Sequence, residues 1–262
     1  MIVQASPRLA PAMLSLDHLY PRLPAIIGHR GASAAAPENT LAAFSLAADL
    51  GADAVELDVK LSKDGVPVVM HDATVDRTTD GRGRVADLTL ADLKTLDAGS
   101  RKDAKYAGER VPTLAEAFES VVSRLWINVE LTNYETRGDR LVLLVVRLIQ
   151  KMSLQRRVLV SSFEPRNIRA VKRLDPSIPV AQLTAIGMPI YLRDAWLAPL
   201  IRHEARHPDV AQLKQKGVAF FHKRGYRVNV WTINDPDDMR EFARQGVDGL
   251  ITDAPDIARK AV

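Results

Sequence analysis

From residue 25 almost to the C-terminus, short β-rich segments alternate with longer helical ones, and that order restricts the chain to parallel strands joined by crossover helices. Strands are expected near residues 25–28, 54–60, 67–70, 125–131, 157–162, 178–183, 227–233 and 248–252. Helical patterns lie at 39–50, 139–151, 165–174, 210–224 and 236–245. Eight strands are what a closed (β/α)8 TIM barrel requires, and 262 residues suit one such α/β domain. The stretch 76–111 interrupts the alternation. It is rich in Gly, Asp, Arg and Lys, carries one short helical pattern at 90–96, and reads as a small insertion over the barrel mouth after the third strand segment. The least legible region is 184–209, where an irregular or missing element is expected. Residues 1–22 read as an N-terminal arm ahead of a barrel spanning 23–262.

Composition narrows the chemistry. Without cysteine the chain has neither disulfides nor a thiolate metal site, so any metal must be held by oxygen and imidazole ligands, and a reducing cytoplasm is the expected location. A formal charge of +4, from 36 basic against 32 acidic residues, gives no specific case for nucleic acid. The longest apolar run, 141–149, is interrupted by Arg147 and falls short of the roughly 20 residues that span a bilayer. The N-terminus lacks the basic start, apolar core and small-residue cleavage site of a secretory signal.

Strand alternation then singles out a site. In Val55-Glu56-Leu57-Asp58-Val59 the two carboxylates share one face and the apolar side chains the other, so Glu56 and Asp58 point into the barrel near its C-terminal end. The same reading of Trp126-Ile127-Asn128-Val129-Glu130-Leu131 sends Glu130 inward. Unpaired buried charges cost several kcal/mol per ion, a penalty that a divalent cation removes. Three oxygen ligands with open positions suit Mg²⁺ or Ca²⁺. For the first two acids, ion pairing with Lys60 or Arg30 is the alternative.

His29 ends the first strand segment and His71 the third, which in a barrel places them on different walls of one mouth, as proton donor and acceptor. Arg30 offers a cationic fork for a phosphate oxygen, and Gly28 and Gly31 allow close backbone approach. His18 and His222 read as solvated or packing residues. His203 and His207, four apart, lack a third ligand for zinc and stay unassigned.

These residues resemble the glycerophosphodiester phosphodiesterase family. The likeness rests on His29-Arg30-Gly31-Ala32, Pro37-Glu38-Asn39-Thr40, Glu56-Leu57-Asp58-Val59 and Val68-Val69-Met70-His71-Asp72, in order and spacing. It continues through Asn128-Val129-Glu130-Leu131, Ser161-Ser162-Phe163, Val230-Trp231-Thr232-Ile233-Asn234 and the stretch from Gly246 to Asp253. The resemblance implies a TIM barrel that cleaves small-molecule glycerophosphodiesters to glycerol 3-phosphate and an alcohol. It makes His29 and His71 the acid/base pair, Glu56, Asp58 and Glu130 the metal ligands, Arg30 the phosphate anchor and Trp231 an apolar wall for glycerol. One position departs: two residues after the third acid the family usually has lysine, and here it is Thr132, expected to face inward and donate to phosphate, with Arg137 or the insertion supplying the missing charge. Two other readings accompany this one. Lysophospholipase D-like cleavage would need an apolar trough, for which Tyr191, Leu192, Trp196 and Leu197 are candidates. A non-catalytic phosphate-ester-binding barrel would take Thr132 as its first sign of decay.

Overall fold

Five residues, 62–66, separate the second and third strand segments, and a link that short permits only a hairpin, because a parallel crossover needs a dozen or more. The computed structural model, which describes residues 15–196 and 201–262, shows that consequence. Strands β1 (Ala25–Gly28) and β2 (Ala54–Leu61) run parallel, but β3 (Pro67–Val69) turns back antiparallel on the overhanging end of β2, pairing Val59 with Val69 and Leu61 with Pro67. The third segment is therefore not a barrel stave, contrary to the sequence reading. The missing stave is β7 (Ala205–Pro208), inside the illegible region.

The barrel is closed by β1, β2, β4 (Trp126–Leu131), β5 (Val158–Ser162), β6 (Val180–Thr184), β7, β8 (Arg227–Val230) and β9 (Gly249–Thr252), all parallel, with β9 bonded back to β1. Its outer layer contains α1 (Leu41–Asp49), α3 (Leu114–Val121), α4 (Leu141–Lys151), α5 (Pro165–Leu174), α7 (Val210–Lys216), α8 (Val218–His222), α9 (Pro236–Arg244) and α10 (Pro255–Ala261). Among its described residues the β6 to β7 connection carries the single-turn α6 (Ile190–Arg193). The pattern read as one helix over 210–224 is broken at Gly217, whose φ of +73° no helix accommodates. Helix α3 escaped the sequence reading although Thr113 and Glu116 form a capping box at its start. The insertion holds α2 (Leu90–Thr95) and a small core of Val75, Val85, Leu93 and Val111 against β3; Lys102 and Tyr106 reach from it to the Ser33 and Ala35 carbonyls. No helix among the described residues is long and apolar enough to cross a membrane.

Alternation along the strands divides the core. Val55, Leu57, Val59, Ile127, Val129 and Val160 face the helices, while Ala25, Ile27, Ala54, Trp126, Leu159, Ala181, Ala205 and Ile251 face inward at the bottom. Four of these inward residues are alanines, and the space they leave is filled by Leu16, Leu19 and Tyr20 from the segment preceding β1. Tyr20 packs on Trp126, ring centroids 5.4 Å apart, and its hydroxyl exchanges hydrogen bonds with Asn229. An acidic rim fixes the strand register at this end. Asp53, Glu204 and Asp248 each precede a strand and accept an N–H from its neighbour, at Ile26 (2.9 Å), Val180 (3.0 Å) and Val228 (2.7 Å). Arg22 and Arg259 neutralise the first, Lys172 the second and Arg227 the third, which also meets the His222 ring at 2.7 Å.

His207 points inward from β7, fully buried, with Nε2 accepting from Asn229 at 3.0 Å. Burial, aided by the nearby Arg206 charge, pulls its pKa from 6.5 to about 3; His203, likewise buried, falls to about 4. Both folded values lie below the unfolded one, so the stability they contribute is complete above about pH 6.5 and drains away as pH falls toward 4. Urea midpoints should therefore decrease from pH 7 to pH 4.5, by up to about 1.4 kcal/mol per pH unit for each histidine. A His207→Asn variant should show a shallower decrease, and an identical slope in the two proteins would refute the assignment.

Candidate active site

Continuing the inward alternation upward from the alanine layer brings His29 above Ile27, Glu56 and Asp58 above Ala54, Asn128 and Glu130 above Trp126, and Asp253 above Ile251. Parallel register sets Asp58 directly opposite Glu130, and Glu56 opposite Asn128. Ligand oxygens of Glu56, Asp58 and Glu130 lie within 4.8 Å of one another. Glu56 and Asp58 are shut off from solvent to a degree unusual for carboxylates, at 3% and 2% exposure, while Glu130 is partly buried. Burial, reinforced by the other acids, pushes Glu56 well above the ordinary carboxyl range, and burial together with the Asp58 charge pushes Glu130 up.

The protein answers this repulsion only in part. Arg30 Nε stands 3.3 Å from Asp58, and the backbone N–H of Arg30 donates to Glu56 at 3.0 Å. To aim that N–H, Arg30 adopts a left-handed φ of +55°, a conformation costing about 1 kcal/mol outside glycine. Asn39, also left-handed at +59°, donates from its side chain to Asp58 at 2.9 Å. Tyr134 donates its hydroxyl to Glu130 at 2.9 Å. Glu56 Oε1, buried, has no hydrogen-bond partner among protein groups. Lys60 does not pair with the acids on its own strand. Its ammonium donates to the Thr132 carbonyl at 2.5 Å, and its charge draws the neighbouring Glu130 carboxyl back down.

Each histidine is gripped through Nδ1 by a carboxylate, which leaves Nε2 as the nitrogen free to work. His29 meets Asp253 at 2.7 Å, and Asp253 also accepts from Ser33 and Asn234. His71 meets Asp72 at 2.6 Å. Burial would raise Asp253, but the His29, Asn234 and Ser33 contacts hold it at about 2. Hydrogen bonding from Arg77 takes Asp72 to about 2 against a smaller burial effect. Arg77 joins Asp72 to Glu38, and Glu38 bonds Arg30 at 2.8 Å, so one ionic chain runs from the second imidazole to the carboxylate cluster. His71 reaches this mouth because β3 folds back along β2, where the Met70 N–H bonds the Asp58 carbonyl at 2.9 Å. It therefore sits beside the acids of β2 rather than at the end of a wall of its own.

Starting beside Glu130, Tyr134, Phe163 and Trp231 form an aromatic arc of edge-to-face contacts at 6.1 and 5.4 Å. The Trp231 indole N–H is spent on the His207 carbonyl at 2.8 Å, which fixes the ring. Thr132 differs from expectation: its hydroxyl donates to the Val59 carbonyl at 3.0 Å, so its only side-chain proton stays in the sheet. Gly31 serves packing rather than ligand approach, since a Cβ there would lie 2.6 Å from the Ala43 backbone on α1. Sequence reasoning assigned no role to Asp253, Asn39, Tyr134 or Arg77. Asp253, Asn39 and Arg77 stood inside stretches that carry the family resemblance, whereas Tyr134 gave no sequence signal of its partner.

Carboxylates, cations and two oriented imidazoles at the C-terminal end of a parallel barrel are the equipment of phosphate-ester chemistry. The model of the glycerophosphoryl diester phosphodiesterase family matches residues 29–257. A glycerophosphodiester phosphodiesterase of Caldanaerobacter subterraneus subsp. tengcongensis is 39% identical over 233 residues, 88% of this chain and 94% of that protein. A Bacillus subtilis enzyme of the same name is 33% identical over 248 residues, covering 89% and 85%. Among solved structures, an Oleispira antarctica phosphodiesterase in complex with the product sn-glycerol-3-phosphate superposes with a TM-score of 0.83 at 35% identity, over 93% of this chain and 98% of that one. The chain belongs to the glycerophosphoryl diester phosphodiesterase family.

Proposed function

We propose that this chain hydrolyses glycerophosphodiesters to glycerol 3-phosphate and an alcohol, with His29 and His71 moving the protons and Glu56, Asp58 and Glu130 holding Mg²⁺ or Ca²⁺. The observation that carries this reading is the convergence of three acids, two buried and one partly buried, with two imidazoles, each oriented through Nδ1. The donor set fits a hard cation: all three ligands are carboxylate oxygens, and one of them, Glu56 Oε1, is buried without a protein partner. When bound there, such a cation neutralises the acids and polarises phosphoryl oxygens.

The residues of the chain account for the remaining steps. One Nε2 takes the proton from the attacking hydroxyl, either water or the 2-OH of the glycerol, and the other gives a proton to the departing alkoxide. Attack by the 2-OH leaves a cyclic phosphate, which water then opens to glycerol 3-phosphate with the two imidazoles exchanging roles. Asp253 and Asp72 hold the imidazoles in the tautomer this requires and stabilise each when it becomes cationic. Arg30, beside Asp58, offsets negative charge that grows on the phosphoryl group. The Tyr134–Phe163–Trp231 arc offers the carbon skeleton of glycerol an apolar wall. With the Thr132 hydroxyl engaged in the sheet, we assign the positive charge at this corner of the mouth to Lys60.

A second substrate class has one observation in its favour. A cavity of about 410 Å³ lies on the β6 side, where Tyr191, Leu192 and Ile201 offer apolar surface beside the charged Arg137, Glu164, Arg166 and Arg169. Leu197, expected to line such a trough, falls outside the described residues, and Trp196 borders a different cavity. Comparing glycerophosphocholine with long-chain lysophosphatidylcholine separates the two classes.

Release of glycerol 3-phosphate from glycerophosphocholine, followed in a coupled assay, tests the main reading. His29→Ala and His71→Ala should each abolish turnover without loss of fold; normal rates in either remove that histidine from the scheme. EDTA should also abolish turnover. Added Mg²⁺ or Ca²⁺ should raise the melting temperature of the wild type, by an amount equivalent to about 2.7 kcal/mol at a hundredfold excess over Kd. In Glu130→Gln that rise should largely disappear, and turnover persisting in EDTA would contradict the cation site. Lys60→Met should lower kcat/KM about tenfold, the worth of one charge-assisted hydrogen bond, with Thr132→Lys added to it restoring activity. An unaffected Lys60→Met enzyme would show that Lys60 serves the fold alone.

A further inference from the structure

Among the described residues the β6 to β7 crossover contains a single helical turn, α6, where the crossovers on either side carry α5 and the pair α7 and α8. The outward residue of β7 is Arg206. It is only 4% exposed, it makes no hydrogen bond or ion pair among the described residues, and its Nε is buried without a partner. Two aromatic faces flank the guanidinium, with its carbon 5.9 Å from the Phe221 centroid and 5.8 Å from that of Tyr226. His203 stacks on Tyr226 at 4.6 Å, nearly coplanar. These rings stabilise a cation by about 0.5–2 kcal/mol each, less than the several kcal/mol that burying an unpaired charge costs. Burial accordingly pulls Arg206 down to about 10.

The guanidinium borders a cavity of about 490 Å³ whose walls include Trp196, Phe220, Arg224, Tyr226 and Asp194. That volume suits a small-molecule ligand. Asp194, the one acid in the lining, is already engaged by Lys216 at 2.5 Å and by Arg193. Arg224 lies over the Phe220 ring at 3.8 Å and adds a second positive charge. A planar cationic fork with no partner, aromatic walls and a neutralised acid together define one kind of occupant.

We infer that this cavity, on the outer wall of the barrel, binds a small aromatic anion whose acidic head is clasped by Arg206 and whose ring lies among Trp196, Phe220 and Tyr226. It is separate from the catalytic mouth, because Arg206 points outward from β7 while His207, the next residue, points into the barrel. A planar head with two anionic oxygens matches the guanidinium fork, which carboxylate and phosphate both provide.

Calorimetric titration of the full chain with 1-naphthoate, 1-naphthyl phosphate and neutral 1-naphthalenemethanol tests this, with saturating glycerol 3-phosphate present to block the mouth. One-to-one binding of at least one anion is expected, and the preferred one identifies the head. The neutral alcohol and the Arg206→Met variant should each bind about tenfold more weakly or worse. Should Arg206→Met fail to fold, Trp196→Ala, at a surface position 62% exposed, must weaken the same anion by removing a wall. No binding by either anion, equal binding by the alcohol, or affinity unchanged in the variants would overturn the site.

Discussion

Mutual repulsion among Glu56, Asp58 and Glu130 is the constraint around which the upper half of this barrel is arranged. Parallel pairing of β2 with β4 forces Asp58 opposite Glu130, and the inward alternation buries Asp58 and leaves Glu130 only partly exposed. The surrounding groups moderate this charge without cancelling it. Arg30 is shared between Asp58 and Glu38, Asn39 and Tyr134 each supply one hydrogen bond, and Glu56 keeps an oxygen with no protein partner. A fully neutralised cluster would be more stable and could not hold a cation. The left-handed backbone at Arg30 and Asn39 belongs to the same arrangement, since both residues adopt that conformation while donating to these acids.

Such a site is tolerable because register is fixed elsewhere. At the bottom of the barrel acids are also buried, but each accepts a strand N–H and meets one or two cations, so there the charges hold adjacent strands in step. The plug of Leu16, Leu19 and Tyr20 completes that end with apolar contact. Satisfied acids at the N-terminal ends of the strands and unsatisfied ones at the C-terminal ends divide the molecule into a stabilising face and a reactive face.

Where sequence reasoning succeeded and failed follows from which forces act locally. Strand alternation is local, and it correctly turned Glu56, Asp58 and Glu130 inward. The third strand segment was misplaced because its composition was weighed ahead of the five-residue link before it, although that link alone rules out a parallel stave. Strand β7 was missed for a different reason. Ala205-Arg206-His207-Pro208 has no apolar alternation, since one charged side chain lies among aromatic rings outside and one neutral histidine bonds Asn229 inside, and these surroundings come from residues distant in sequence. Tyr134 and Arg77 are likewise defined by tertiary partners. Asp253 could have been found, because alternation from Ile251 turns it inward on the strand bonded to β1.

If Lys60 supplies the charge we propose for it, threonine at position 132 is compatible with a mouth built from neighbouring strands that takes its charge from the adjacent strand. Lys60 is two residues beyond Asp58 on β2, and Thr132 is two beyond Glu130 on β4. Because these pairs are in register, side chains at 60 and 132 leave their strands on the same inward face and at the same height. An ammonium from either strand therefore ends in one neighbourhood, and the Lys60 contact with the Thr132 carbonyl marks it. Threonine at 132 then has a role that lysine there could not combine with this arrangement. Its short side chain bonds Val59 across the same strand pair and leaves room for Lys60, whereas a second ammonium would face the first at close range with only Glu130 and the half-exposed Glu135 to separate them.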